Sequence, residues 1–222
     1  MKVLTFDCYN TLLDTSTTDT VLTNIAKSHN LDAQAPEFCE TYYRIEHELM
    51  YAAEFRHLKE ILALSVARAL EKYKLASKRE DAEALVDCYR SFQPFADVPD
   101  TLEALARHYT LCIMSNSDND ILDHNAKSLG VGFARLFTAE DMRCYKPTLH
   151  FFEQVHNFLE LPGKDHTHVA AGFWWDIIPA KSLKWRRIWV NRRHRKGNDQ
   201  YQPYTEIHDF RELLPSLLEK RR

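Results

Sequence analysis

Residues Lys2–Asp14 read KVLTFDCYNTLLD. Val3, Leu4, Thr5 and Phe6 are good strand formers in an apolar run, the pattern of a buried strand. The run stops at Asp7, and Tyr9, Asn10, Thr11 and two leucines follow. Ligands of open parallel sheets bind beyond the carboxyl ends of the strands, so a carboxylate ending a buried strand is a candidate for chemistry. Cys8 adjoins it, but the period of two along a strand turns its side chain the other way.

Working outward, residues 16–95 contain no glycine and are rich in Ala, Leu, Glu, Lys and Arg. Helical spacing of apolar residues predicts several helices there: TTDTVLTNIAKSHN, PEFCETYYRIEHELMYAAEF opened by Pro36, LKEILALSVARALEKYKL and KREDAEALVDCYRSF. After QPFADVPD the texture alternates. TLCIMSNSD, HTHVAAGF and RRIWVNR read as strands, FARLFTAEDMRCYKP as a short strand and turn, and TLEALARHY, DILDHNAKSLG, TLHFFEQVHNFLEL, WDIIPAKSLKW and DFRELLPSLLEKRR as helices. Alternating strands and helices imply right-handed crossovers and a parallel sheet covered on both faces. The expected architecture is a doubly wound α/β core over residues 1–15 and 96–222, carrying an α-helical cap over residues 16–95.

The bulk numbers narrow the function. At 222 residues with 45% hydrophobic content the chain can bury a sizeable core. A net charge of -3 argues against general nucleic-acid binding, and the basic run Arg186–Lys196 reads as a solvated loop. No stretch reaches the roughly 18 apolar residues of a membrane span, and no secretory leader is expected. The five cysteines are scattered without zinc spacing and read as reduced thiols of a cytoplasmic protein. No GxGxxG or GxxxxGK[ST] loop is present.

Strand ends and turns collect Asp7 with Thr11, then Ser115 and Asn116 in CIMSN, Lys146 in YKP, and Asp176 in WWDIIPAK. In order and spacing these four elements resemble the haloacid dehalogenase superfamily, and more closely its L-2-haloacid dehalogenase branch. Phosphatases of that superfamily carry a second Asp two residues after the first, which protonates the leaving alkoxide. Here Tyr9 stands there, with an unperturbed pKa of about 10; a halide leaving group needs no proton. Ala170, Ala171 and Gly172 stand where those phosphatases complete a magnesium site, and magnesium wants several oxygen ligands. The expected site is metal-free, with no cofactor.

The resemblance implies a mechanism. Asp7 attacks C2 of a small 2-substituted carboxylic acid, an aspartyl ester forms, and water releases a 2-hydroxy acid. It casts Lys146 and Asp176 as partners of Asp7, and Thr11 and Ser115 as groups that hold the substrate carboxylate or the ester oxyanion. Arg44 is cast as the cation from the cap, and Tyr9, Asn116 and Trp175 as substrate or halide contacts. A homodimer through the cap segment Leu58–Tyr73 is likewise implied by resemblance. The chain also departs from the branch. Asn10 replaces a glycine, a change its tolerance of unusual φ permits, while Ala171, Phe173 and Phe152 replace polar groups that position water or substrate. Ring-opening of a cyclic imino acid such as azetidine-2-carboxylate, phosphatase activity, and a binding protein of weakened turnover stay open as alternatives.

Overall fold

The computed structural model describes residues 2–161 and 165–218. Among the described residues six strands form one parallel sheet: β1 (Val3–Asp7), β4 (Thr110–Ser115), β5 (Arg135–Thr138), β6 (His166–Ala170), β7 (Arg186–Val190) and β8 (Thr205–Ile207), in the order β5-β4-β1-β6-β7-β8. β1 is buried along its whole length. The order reverses at β1, with β4 on one side and β6 on the other, so the crevice of a doubly wound sheet opens at the end of this strand. Helices α5 (Pro99–Ala106), α6 (Asn119–Ser128), α7 (Ala139–Met142), α8 (Leu149–Leu159), α9 (Ile178–Ser182) and α10 (Leu213–Leu218) accompany the strands. The doubly wound α/β reading holds.

Between β2 (Leu13–Asp14) and β3 (Gln93–Pro94) lie α1 (Thr17–Ser28), α2 (Ala35–Met50), α3 (Leu58–Glu71) and α4 (Arg79–Ser91). β2 and β3 pair antiparallel, Leu13 opposite Pro94 and Asp14 opposite Gln93, and so close the neck of the helical segment. The helices share a core that includes Leu22, Phe38, Tyr42, Leu62, Val66 and Leu85. The apolar stripe of α3 is buried within the chain at Leu58, Ile61, Leu62, Val66, Ala69 and Leu70.

The two faces of the sheet differ. On one, Leu4, Phe6, Ile113, Val169 and Ile188 pack with Leu102, Leu122 and Leu213. On the other, Val3, Cys112 and Met114 pack with Phe151, Phe152, Val155 and Trp185. Register places Val3 opposite His166 and Thr5 opposite His168. The period of two therefore puts Thr5, Asp7, His166 and His168 on that second face.

Some expected boundaries move. α2 ends at Met50 rather than running on to Phe55. The helix expected from Trp175 starts earlier, as a π-helix over Phe173–Ile177, and becomes α-helical only at Ile178. β8 lies in a segment with no strand-like alternation and was not expected. The last helix covers Leu213–Leu218, and residues 219–222 of the predicted one lie outside the described residues. The basic run is more than a solvated loop. Arg187 is buried and donates to the carbonyls of Ile177 and Pro203. Arg192 pairs with Asp97 at 2.7 Å, donates to the Thr11 carbonyl at 3.1 Å and stacks on Phe95. Backbone carbonyls left unpaired between elements need such donors.

Candidate active site

The turn after β1 is built before anything is bound to it. The N–H groups of Thr11, Leu12 and Leu13 all point at the Cys8 carbonyl, and Asn10 adopts φ 62°. Asn is among the few residues that enter this left-handed region readily, so the turn survives without the glycine. The turn brings Thr11 back over Asp7. Thr11 Oγ1 donates to Asp7 Oδ2 at 2.6 Å and accepts the Ala171 N–H at 2.8 Å, tying the β1 turn to the end of β6.

Lys146 arrives from the turn before α8. Its Nζ donates to Asp7 Oδ1 at 2.8 Å, Asp176 Oδ1 at 2.7 Å and the Met114 carbonyl at 2.9 Å, which uses all three ammonium protons. Asn116 fixes this lysine by its backbone, accepting the Lys146 N–H at 2.7 Å and donating to the Lys146 carbonyl at 2.9 Å. Asp7 keeps 12% of its side-chain surface exposed, against 2% for Lys146 and 1% for Asp176. Of the three charged groups, the Asp7 carboxylate is the one that meets the cleft.

One cation between two carboxylates leaves one negative charge in excess. Burial pushes the Asp7 carboxyl above its ordinary range and Asp176 adds to this, opposed by Lys146 and Thr11. Burial works against ionised Asp176 as well, but the charge of Lys146 and a hydrogen bond from His168 outweigh it and hold this carboxyl low. Burial likewise opposes the ammonium of Lys146, and the charges of Asp176 and Asp7 overcome it and keep it protonated. Asp176 and Lys146 thus form the tighter pair, and Asp7 is the more basic carboxylate.

The other predicted residues divide. Ser115 is buried at the end of β4, and its Oγ has no hydrogen-bond partner among the described residues. Tyr9 turns its hydroxyl to Ser117 Oγ at 2.8 Å and Asn125 Oδ1 at 3.2 Å, its ring edge-on to Tyr89 and Phe92. Trp175 lies at the rim, half exposed, with its indole N–H given to Tyr51 Oη at 2.6 Å; Tyr51 in turn donates to the Lys146 carbonyl at 2.9 Å. Three residues are not brought to the site. Arg44 faces solvent from α2 and pairs with Glu48 one turn on, because the buried stripe of that helix runs through Thr41, Tyr42, Ile45 and Leu49. Phe173 packs with Trp189, Tyr201 and Tyr204, since the π-turn carries it away from Asp176. Phe152 is buried behind the site against His168 and Trp185.

A family model described as haloacid dehalogenase-like hydrolase matches residues 1–184. The chain belongs to that family. A relative of this haloacid dehalogenase-like hydrolase is the (S)-2-haloacid dehalogenase of Pseudomonas sp. (strain YL), 30% identical over 111 residues. The match covers 49% of this chain and 47% of that protein, so the chain spans about half the length of the curated relative it matches. Among solved structures, the L-2-haloacid dehalogenase of Xanthobacter autotrophicus with chloropropionic acid covalently bound has a TM-score of 0.80 at 15% identity, with 100% of each chain covered. A Bacillus subtilis HAD-hydrolase bound to magnesium also has a TM-score of 0.80, at 17% identity, covering 97% of this chain and 98% of that one. The fold is therefore shared by a protein bound to magnesium and one carrying covalent chloropropionic acid, and the side chains have to decide the chemistry.

Sequence reasoning about this haloacid dehalogenase-like hydrolase missed the histidines of β6. His168 Nε2 lies 3.1 Å from Asp176 Oδ1, and Thr5 Oγ1 lies 2.9 Å from His168 Nδ1 and 2.7 Å from His166 Nε2. The signal was present as His166 and His168 two apart in a predicted strand, hence on one face, and Thr5 and Asp7 likewise. Tyr51 was missed because it lies just past the end of α2. The one group of side chains among the described residues that could hold a cation is His57, Asp118 and Glu140, with donor atoms within 4.8 Å of one another. Its acids already serve backbone N–H groups: Asp118 caps α3 at Leu58 and Lys59, and Glu140 accepts from Asn119.

Proposed function

We propose that this chain is a hydrolase that uses Asp7 to displace a leaving group, most simply a halide, from C2 of a small 2-substituted carboxylic acid. The observation that carries this reading is the pairing of an oriented, partly exposed Asp7 carboxylate with a Tyr9 hydroxyl turned away to Ser117 and Asn125. A nucleophile is in place, and position 9 offers no acid to a leaving group. In the first step an Asp7 oxygen forms a bond to C2 and the C2–halogen bond breaks, halide leaving with its electron pair. In the second, water adds to the Asp7 carbonyl carbon and gives its proton to Asp176. The bond from that carbon to the substrate oxygen breaks, the departing hydroxylate of the 2-hydroxy acid takes the proton, and Asp7 releases one proton to solvent. Ser115, with its unpartnered hydroxyl, receives the substrate carboxylate. The covalent chloropropionic acid on the Xanthobacter structure is of the same chemical kind. Residues 16–95 act as the cap, placing Tyr51 over Lys146 and seating the start of α3 on Asp118 of the core.

Magnesium does not fit this donor set well. Asp7 and Asp176 are both bonded to Lys146 through Oδ1, and residues 170–172 supply no further carboxylate. Halide release from 2-chloropropionate with EDTA present is the test. Release that stops in EDTA and returns with magnesium, or turnover of p-nitrophenyl phosphate alone, sinks the reading. The second reading, ring-opening of a cyclic imino acid, has one observation in its favour. With Arg44 turned outward the site keeps an excess negative charge, which suits a zwitterion better than a simple anion. Azetidine-2-carboxylate belongs in the same screen.

A further inference from the structure

We propose that His168 is a positioning residue for the hydrolytic half-reaction, aligned by a buried chain that runs from His166 through Thr5 and His168 to Asp176. The inference rests on the reading of Asp7 as nucleophile and Asp176 as the group that takes the proton of water.

The chain has a direction. Asp176 is ionised and can only accept, so His168 Nε2 carries the proton it shares with Asp176 Oδ1. In the tautomer with its proton at Nε2, His168 accepts at Nδ1 from the Thr5 hydroxyl, and Thr5 Oγ1 accepts from His166 Nε2–H. Each donor points toward Asp176. His166 stays neutral, because burial above all pushes its pKa down to about 3. Trp185 lies edge-on over His166 at 4.3 Å, and Phe152 and Trp185 flank His168, so water does not compete for these nitrogens. The three members on β1 and β6, Thr5, His166 and His168, are held in register by the sheet itself.

The consequence falls on Asp176. Its Oδ1 takes two donors, Lys146 Nζ and His168 Nε2, from different directions, which fixes the carboxylate plane. Its Oδ2 is left for water and faces Gly172, where a Cβ would be in collision with it. Asp7, by contrast, is held by Lys146 and Thr11 and does not touch His168. Loss of His168 therefore acts on breakdown of the ester more than on its formation.

The test uses the full chain and L-2-chloropropionate, with rapid quench, intact mass and halide release read together. H168F is expected to lower kcat about 10- to 100-fold, the scale seen when hydrogen-bond partners behind a ligand are removed. It should also raise the fraction of protein carrying the ester, with the first-turnover halide burst retained. H168Q, which restores an N–H near Nε2, should recover part of the loss. T5V keeps the volume of the threonine on the strand, should shift the partition in the same direction, and decides the matter if H168F fails to fold. Wild-type kcat and ester fraction in folded H168F or T5V overturn the proposal. If the wild type forms no adduct with any 2-halo acid, the reading of Asp7 fails instead. The chain is then judged by ¹⁵N NMR: a His168 protonated at Nε2 whose Nδ1 signal moves in T5V, as it loses its donor, supports it, and one protonated at Nδ1 with Nε2 bare overturns it.

Discussion

β1 and β6 present two faces that were built by opposite rules. Leu4, Phe6 and Val169 face a wholly apolar layer, while Thr5, Asp7, His166 and His168 on the reverse are polar and almost as deeply buried. The first face gains from burial in proportion to its area. The second is polar, and one connected set of hydrogen bonds runs across it from His166 to Lys146. Alternate residues of the same strands thus supply an apolar layer on one face and, beside a second apolar cluster, a polar network on the other.

The sharpest way to separate the faces is Asp7→Asn. Turnover should fall by about 10⁴-fold or more, as for other lost nucleophiles, while the unfolding free energy at pH 7 stays level or rises. Burial and Asp176 hold this carboxyl above its ordinary range, so its ionised form strains the folded state. Halide release and urea denaturation check the two halves, and a large loss of stability would contradict the placement of strain at Asp7. The mirror experiment is Phe6→Ala on the apolar face. It should remove about 3–5 kcal/mol of stability, with kcat retained wherever the protein is folded.

A third, smaller effect is pH-dependent. Below pH 6.5 the unfolded chain binds a proton at His166 that the folded chain refuses down to about pH 3. This contribution to stability is complete above 6.5. It is lost as pH falls through that window, by roughly 1.4 kcal/mol per unit at most. His166→Phe should flatten the pH dependence of the denaturation midpoint between pH 6.5 and 5, and an unchanged slope would count against a buried neutral His166. The smallest effect belongs to Arg44→Ala. Its pair with Glu48 is exposed on both sides and such pairs contribute little, so stability should move by no more than about 0.5 kcal/mol and KM not at all.

The sequence made the sheet legible because burial on both faces leaves a plain mark: five apolar-run residues ending in an acid. Asp7, Thr11, Asn116, Lys146 and Asp176 were legible for the same reason, each at a strand end or the turn after one. The helical segment was legible from its 3.6 period, but a period does not say which side of a helix meets a cleft. Arg44 was therefore assigned inward when the apolar stripe of α2 turns it outward. Phe173 reads as the end of the strand HTHVAAGF, and the π-turn that begins there sends its ring to Trp189, Tyr201 and Tyr204 instead. The chain through Thr5 was invisible for a topological reason. His168 and Thr5 are 163 residues apart, and only the β1–β6 register makes them neighbours.

The π-helix at Phe173–Ile177 has a consequence for how this protein can change over generations. A π-turn takes up one residue more than an α-turn between fixed ends, here with Ile177 N–H reaching back to the Gly172 carbonyl and Asp176 still bonded to Lys146 and His168. An insertion or deletion at this point is expected to alter the tryptophan rim before it moves the anchored carboxylate, so the mouth of the cleft can drift while the buried Asp7–Lys146–Asp176 cluster is kept.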